Sequence, residues 1–153
     1  MAEVVQLPAA LVAGLRAVVT VEEMGEFFGR AMSVAAALPT ELFAGPATAV
    51  YHRDEHTRFD VTVGLRVSAR TGVDGVDVAE LPAGAALRVL HAGRYEDLGE
   101  AYAELGAALA EQGLTRTISW ENYLVGPGDD PDPAAWRTEV VVPLPPDGSA
   151  ADA

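Results

Sequence analysis

Apolar residues recur along this chain in two alternating rhythms. Leu11 to Val19 is a Val-rich run of strand length that stops at Thr20, and Glu23 follows three residues later, which is the spacing of a capping box. From there Met24, Phe27, Phe28, Ala31, Val34, Ala35 and Leu38 return every three or four residues until Pro39, predicting a helix over 21–38. After the turn signal Gly45-Pro46, residues 47–52 read as a short strand and 53–56 as a polar turn. Phe59, Val61, Val63 and Leu65 then alternate, so the two stretches predict a hairpin.

The pattern breaks over 71–75 and restarts after Leu81-Pro82-Ala83-Gly84. Leu87, Val89 and His91 alternate as a strand. Leu98, Ala101, Tyr102, Leu105, Ala108 and Leu109 form a second helical stripe, closed by Gly113, over about 95–112. Two strand-like runs follow, Ile118 to Val125 and Trp136 to Pro143, separated by the turn-rich GPGDDPDPAA, and the chain ends in PPDGSAADA, expected to be a flexible tail over 145–153. The order strand, helix, strand, strand therefore occurs twice, in pseudo-repeats of about 4–70 and 78–144. Two βαββ units of this kind predict an α+β fold, with one antiparallel sheet, two helices on one face and a ligand cleft on the other.

At 153 residues the chain is the size of one domain, and we expect 1–153 to form a single one. Half of the residues are hydrophobic, enough to bury a core without staples. The formal net charge is −13, from 23 acidic against 10 basic residues, and all ten of the latter are Arg. Without Lys there is no Schiff-base chemistry or P-loop; without Cys there are no thiol nucleophiles, disulfides or Cys-ligated zinc. An acidic chain without a basic stretch repels phosphate backbones, so direct nucleic-acid binding is not expected. Neither a membrane span nor a signal peptide is legible, which places the protein in the cytoplasm as an expectation.

Strand alternation puts Glu121 and Tyr123 on one side of 118–125, and Trp120, Asn122 and Leu124 on the other. In 136–143, Trp136, Thr138, Val140 and Val142 oppose Arg137, Glu139 and Val141. If the strands pair and the stripes containing Trp120 and Val140 face the helices, Glu121, Tyr123 and Glu139 share the open face as an acidic, aromatic-edged pocket. The same carboxylates also read simply as solvated sheet residues, one of them paired with Arg137. His52, Glu55 and His56 match H-x-x-E-H, but they close a strand and open a turn, where the geometry of a helical zinc site cannot be held, so no metal is expected. No serine stands in a G-x-S-x-G context, and no cofactor motif is present.

Four tracts carry a family resemblance: LPAGAALRVLHAGRYEDLGEAYAELGAALAEQGL, WENYLVGP, RTEVVVPL, and Gly45-Pro46 with Tyr51 followed by FDVTVG. From about Leu11 to Leu144 the chain resembles the GyrI-like (gyrase-inhibitor-like) small-molecule-binding domain, also found as the effector-binding module of AraC-type and MerR-type multidrug regulators. The resemblance implies a duplicated βαββ fold in which Glu121, in an aromatic-Glu-x-Tyr strand, engages lipophilic cations. It implies that Glu139 is the acidic residue of the closing strand, and that Tyr51, Trp120, Tyr123 and Trp136 line or border the cleft. The sequence departs from the regulators in having no helix-turn-helix region, and from the usual turn in carrying Arg94.

Three functions remain open on these grounds. The first is a stand-alone binder of hydrophobic, often cationic or planar small molecules. The second is a hydrolase that opens cyclopropanoid compounds, with Glu121 or Glu139 activating water and Tyr123 orienting or protonating the leaving group. The third is an acidic module that inhibits a protein partner such as gyrase.

Overall fold

The computed structural model describes residues 2–55 and 57–145. The chain divides into two compact units, one formed by residues 9–82 and the other by residues 1–8 together with the chain from 83 onward. His56 of the H-x-x-E-H stretch and the expected tail from 146 lie outside the described residues. The architecture is α+β, as the two rhythms of the sequence predict.

In the first unit the strands are β2 (Ala10–Thr20), β3 (Phe43–Glu55), β4 (Arg58–Val67) and β5 (Asp77–Leu81), with helix α1 (Val21–Ala36) between β2 and β3. They pair antiparallel in the order β3-β4-β2-β5. The predicted hairpin of 47–52 with 59–65 is the centre of the β3–β4 ladder, which pairs Ala49 with Val63 and Tyr51 with Val61. The capping box forms as the sequence predicts: Thr20 Oγ1 accepts from the Glu23 amide at 3.3 Å, and Glu23 Oε1 accepts from the Thr20 amide at 2.9 Å. These bonds satisfy donors that the first helical turn leaves without partners. The buried stripe of α1 is Phe27, Ala31 and Ala35.

The second unit repeats the plan with β1 (Glu3–Leu7), β6 (Gly84–Ala92), β7 (Ser119–Val125), β8 (Arg137–Pro143) and helix α2 (Gly99–Glu111). Its ladder runs β1-β6-β8-β7, all antiparallel. The predicted second helix begins as a 3-10 turn at Tyr95–Asp97 and becomes α-helical from Gly99. Leu98, Ala101, Leu105 and Leu109 of that segment pack on Leu87, Val89, Val140 and Val142. The face of β6 and β8 that carries these residues is therefore the face under α2.

The sequence reading did not identify β1 and β5 as strands. Each has five residues, too few to establish a period, and each lies at the end of its unit's ladder with a single partner within the unit. They exchange places: β1 leads the first repeat but pairs with β6 of the second, while β5 leads the second repeat and pairs with β2 of the first. The chain passes between units at Pro8 and Pro82, inside the matched tracts Leu7-Pro8-Ala9-Ala10 and Leu81-Pro82-Ala83-Gly84. Proline lacks the N–H that a continuing ladder requires, so both strands end there.

Gly14 and Gly64 face each other across the β2–β4 ladder. A Cβ on Gly14 would lie 1.9 Å from the Val63 carbonyl oxygen, and one on Gly64 would lie 1.9 Å from the Ala13 carbonyl oxygen. The two backbones approach so closely that only glycine fits. Gly25, on the exposed side of α1, meets nothing within 4 Å. Gly14→Ala or Gly64→Ala is expected to destabilise the protein by about 1–3 kcal/mol through overpacking. Gly25→Ala is expected to stabilise it by roughly 0.5–1 kcal/mol through helix propensity. Denaturant melts of the three variants measure both signs.

Candidate functional site

Glu121 occupies the middle of β7 and is almost fully buried, with 5% of its surface exposed. A carboxylate taken out of water needs hydrogen bonds to stay charged, and both oxygens have one. Tyr102 of α2 donates its hydroxyl to Oε2 at 2.5 Å, and Tyr123, two residues along β7, donates to Oε1 at 2.6 Å. Tyr123 reaches the carboxylate because residues i and i+2 share a strand face. Tyr102 reaches it because α2 lies over that face.

Further aromatic rings extend from Tyr123. The Tyr95 ring meets Tyr123 edge-on, with centroids 5.7 Å apart and an interplanar angle of 82°. Its other contact is a stack on Trp136, at 5.2 Å and 22°. Tyr95 is aimed by the turn before it. Gly93, at φ +116°, adopts a conformation open mainly to glycine, and its amide donates to the Trp136 carbonyl at 3.0 Å. Trp136 is held in turn by its indole N–H, which donates to the Asp130 carbonyl at 2.8 Å. Gly126 keeps the space beside Tyr95 open, since a Cβ there would lie 2.9 Å from the Tyr95 hydroxyl.

The acidic loop 126–135 is occupied with its own backbone. Asp129 accepts from the Gly126 amide, Asp130 from the Asp132 amide and Asp132 from the Ala134 amide. Its carboxylates therefore build turns. Among the described residues no group of three or more His, Cys, Asp or Glu is placed to hold a metal ion.

Burial pushes the Glu121 carboxyl above its ordinary range; the Tyr102 and Tyr123 hydrogen bonds, then the Arg116 charge, pull it back in part. The Tyr95 hydroxyl is also raised, by burial first and then by the negative charges of Asp129 and Glu121. The cluster therefore combines a carboxylate responsive to its surroundings with four aromatic rings, each exposed on part of its surface. Such a site offers a positive, apolar guest both ion pairing and ring faces, the latter worth about 0.5–2 kcal/mol each.

The sequence-derived faces need one correction. The β7–β8 register pairs Glu121 with Val140, Tyr123 with Thr138, and Asn122 with Glu139. Cross-strand partners share a face, so Glu121 and Tyr123 lie on the α2 side, with Val140 and Val142. Glu139 lies on the opposite side, where Oε1 accepts from Asn122 Nδ2 at 2.8 Å and Oε2 is 3.4 Å from Arg88. The two carboxylates do not share a pocket face. Trp120, expected to face the helix, is also on the side away from α2, buried beside Val141. The apolar stripe of β8 does face the helix as expected; that of β7 does not, because the more polar side of β7 is the one satisfied by Tyr102 of α2.

Trp136 joins the cluster through Tyr95. Tyr51 belongs to the other unit, where it is half-buried on β3 and edge-on to Phe59, with centroids 6.0 Å apart. Three participants escaped the sequence reading: Tyr95, present only within a tract of the family resemblance; Tyr102, counted as a core position of the helical stripe; and Arg116. A tyrosine on a buried stripe is itself a signal, since its hydroxyl seeks a partner when it is covered.

The chain is similar in structure to several solved proteins. It superposes on EcmrR in an EcmrR–DNA complex with a TM-score of 0.75 at 24% identity, covering 94% of this chain and 56% of that one. This chain thus spans little more than half the length of that protein. The EcmrR C-terminal domain alone matches with a TM-score of 0.72 at 23% identity, over 95% of this chain and 97% of that one. SAV2435 bound to tetraphenylphosphonium gives 0.70 at 13% identity, over 95% and 94%. A hydrolase from Listeria innocua gives 0.59 at 14% identity, over 94% and 91%. At these identities the likenesses establish the fold. No curated protein matches the chain. The model of the GyrI-like small molecule binding domain matches residues 2–145, nearly the whole chain, and the protein belongs to that family.

Proposed function

We propose that this GyrI-like domain captures lipophilic, cationic or planar small molecules, with Glu121 as the counter-charge and Tyr95, Tyr102, Tyr123 and Trp136 as the apolar walls. The observation that carries the reading is the buried carboxylate hydrogen-bonded by two tyrosine hydroxyls beside a stack of aromatic rings. An isolated carboxylate is costly to bury, and a cation entering this site would offset that cost. That SAV2435 was solved with tetraphenylphosphonium, a lipophilic cation, supports the chemical class. Glu139, already engaged by Asn122 and Arg88 on the other face, takes no part in the capture proposed here.

A second reading is a hydrolase. A carboxylate whose affinity for protons is raised by burial suits a general base, and the Tyr123 hydroxyl oxygen lies 2.6 Å from Glu121 Oε1, to which it donates its proton. In that reaction Glu121 would take a proton from water as the water oxygen bonds to a cyclopropane carbon; the ring C–C bond at that carbon breaks, and its electron pair goes to the departing side, which gains a proton. Tyr123 would orient or protonate the leaving group.

Tetraphenylphosphonium and a neutral triarylphosphine oxide, titrated against wild type and Glu121→Gln, test the counter-charge. Glu121→Gln is expected to weaken the cation by about tenfold or more, the scale of losing one charged partner, and to leave the neutral compound nearly unchanged. Equal losses for both compounds would remove the role. Cation affinity is expected to rise as pH climbs through the raised Glu121 titration and to fall below it, because only the ionised form attracts the ligand.

Stability should move the opposite way. A carboxyl whose folded pKa is raised holds its proton more tightly in the native state, so its contribution is present at low pH and is lost as pH rises through the folded value. Wild type is therefore expected to lose stability relative to Glu121→Gln as pH climbs from the ordinary carboxylate range through the raised folded value, which paired thermal melts across that rise would register. For the hydrolase, mass spectrometry of a cyclopropane-bearing alkylating compound incubated with the protein is expected to show a water adduct over many turnovers. Turnover unaltered in Glu121→Gln would eliminate Glu121 as the base.

A further inference from the structure

Arg116 lies in the segment between α2 and β7, exposed at the surface, and its guanidinium carbon sits 5.0 Å from the centre of the Tyr102 ring. That distance is within reach of a cation–π contact. The hydroxyl at the far end of the same ring donates to Glu121 Oε2 at 2.5 Å. A guanidinium, a phenol ring and a buried carboxylate therefore stand in series, from solvent to interior.

The groups around Glu121 leave a distinct role for this arginine. Tyr102 from α2 and Tyr123 from β7 face the carboxylate as neutral donors, and Tyr95 from the 3-10 turn is neutral near pH 7. On β8 the cross-strand neighbours are Val140 and Thr138. Beyond them β6 supplies Val89 and His91, and the His91 ring is engaged at Nε2 with the Arg94 carbonyl at 2.9 Å. Arg88 bonds Glu139 and Glu3 on other partners of the sheet, and Arg137 donates to the Ala134 and Trp136 carbonyls. Among the described residues Arg116 is the cation whose charge favours the ionised form of Glu121. It also lies over a face of the Tyr102 ring, one of the walls of the capture proposed above.

We infer that Arg116 is the resident counter-cation of the site: a specificity-determining residue that holds the Tyr102 ring face and competes with a ligand's positive charge. It thereby sets the margin by which the site prefers a cation to a neutral compound of the same shape. The competition rests on the capture function proposed above; the coupling of Arg116 to Glu121 does not.

Arg116→Gln removes the charge, and Arg116→Lys keeps it while losing the flat guanidinium. The first readout needs no ligand: the Glu121 side-chain carboxyl carbon, followed by NMR across pH. Its midpoint is expected to rise in Arg116→Gln and to stay near wild type in Arg116→Lys, a difference that a merely structural role would not produce. The second readout is calorimetry with tetraphenylphosphonium and triphenylphosphine oxide, at a pH above the Glu121 midpoint and at low salt. Arg116→Gln is expected to bind the cation about two- to fivefold more tightly, the scale of one exposed charge interaction, with the neutral compound unchanged.

An unmoved Glu121 midpoint in Arg116→Gln overturns the counter-cation assignment. A wild type that distinguishes the two compounds through Glu121, while Arg116→Gln alters neither or both equally, overturns the specificity role alone. A wild type that binds neither compound overturns the capture function and the competition with it, and the NMR titration still decides whether Arg116 is coupled to Glu121.

Discussion

The burial of the Glu121 carboxylate is the constraint around which the second unit is arranged. Desolvation opposes its charge, and two tyrosine hydroxyls from different elements are directed at it, one from α2 and one from β7 itself. The Tyr102 bond ties the helix to the strand beside the apolar packing of α2 on β6 and β8. A side chain added purely for stability would be a leucine, since replacing a buried charge by a packed apolar residue is often neutral or favourable. A buried carboxylate is thus not explained by stability alone, which is the ground for the counter-charge role proposed above.

The aromatic rings around it are each held by a different device. Tyr95 is aimed by a positive-φ glycine, and Trp136 is anchored through its indole N–H to the acidic loop. The loop is stiffened by its own aspartates. Rings fixed in this way would lose little freedom in the capture proposed above, so less of the interaction would go into ordering them.

The duplicated plan also shapes how the units form. Each repeat supplies its short leading strand to the unit built mainly by the other, through matched Leu-Pro-Ala tracts. The unit of residues 9–82 is one continuous stretch of chain, whereas the second unit is assembled from two, so long-range pairing such as Glu3 with Arg88 must form for its ladder to be complete. Its ion pair, Arg88 with Glu3, lies at that join.

The sequence by itself determined the elements whose period is long enough to read. The capping box at Thr20 and Glu23, the two helical stripes and the β3–β4 and β7–β8 ladders all follow from local spacing, because hydrophobic periodicity and turn chemistry act over a few residues. The four tracts of family resemblance likewise led to the GyrI-like domain before any coordinates. The five-residue strands β1 and β5 were too short for alternation to be distinguished from chance. Only the tertiary structure decided which face of β7 lies under α2. Alternation separates Glu121 from Trp120 but cannot say which of the two turns toward the helix; that choice is made by the register with β8 and by Tyr102, nineteen residues away, whose hydroxyl makes the buried carboxylate affordable. For the same reason Arg116 and Tyr95 were invisible as participants, since their roles exist only where separate segments of chain converge on one carboxylate.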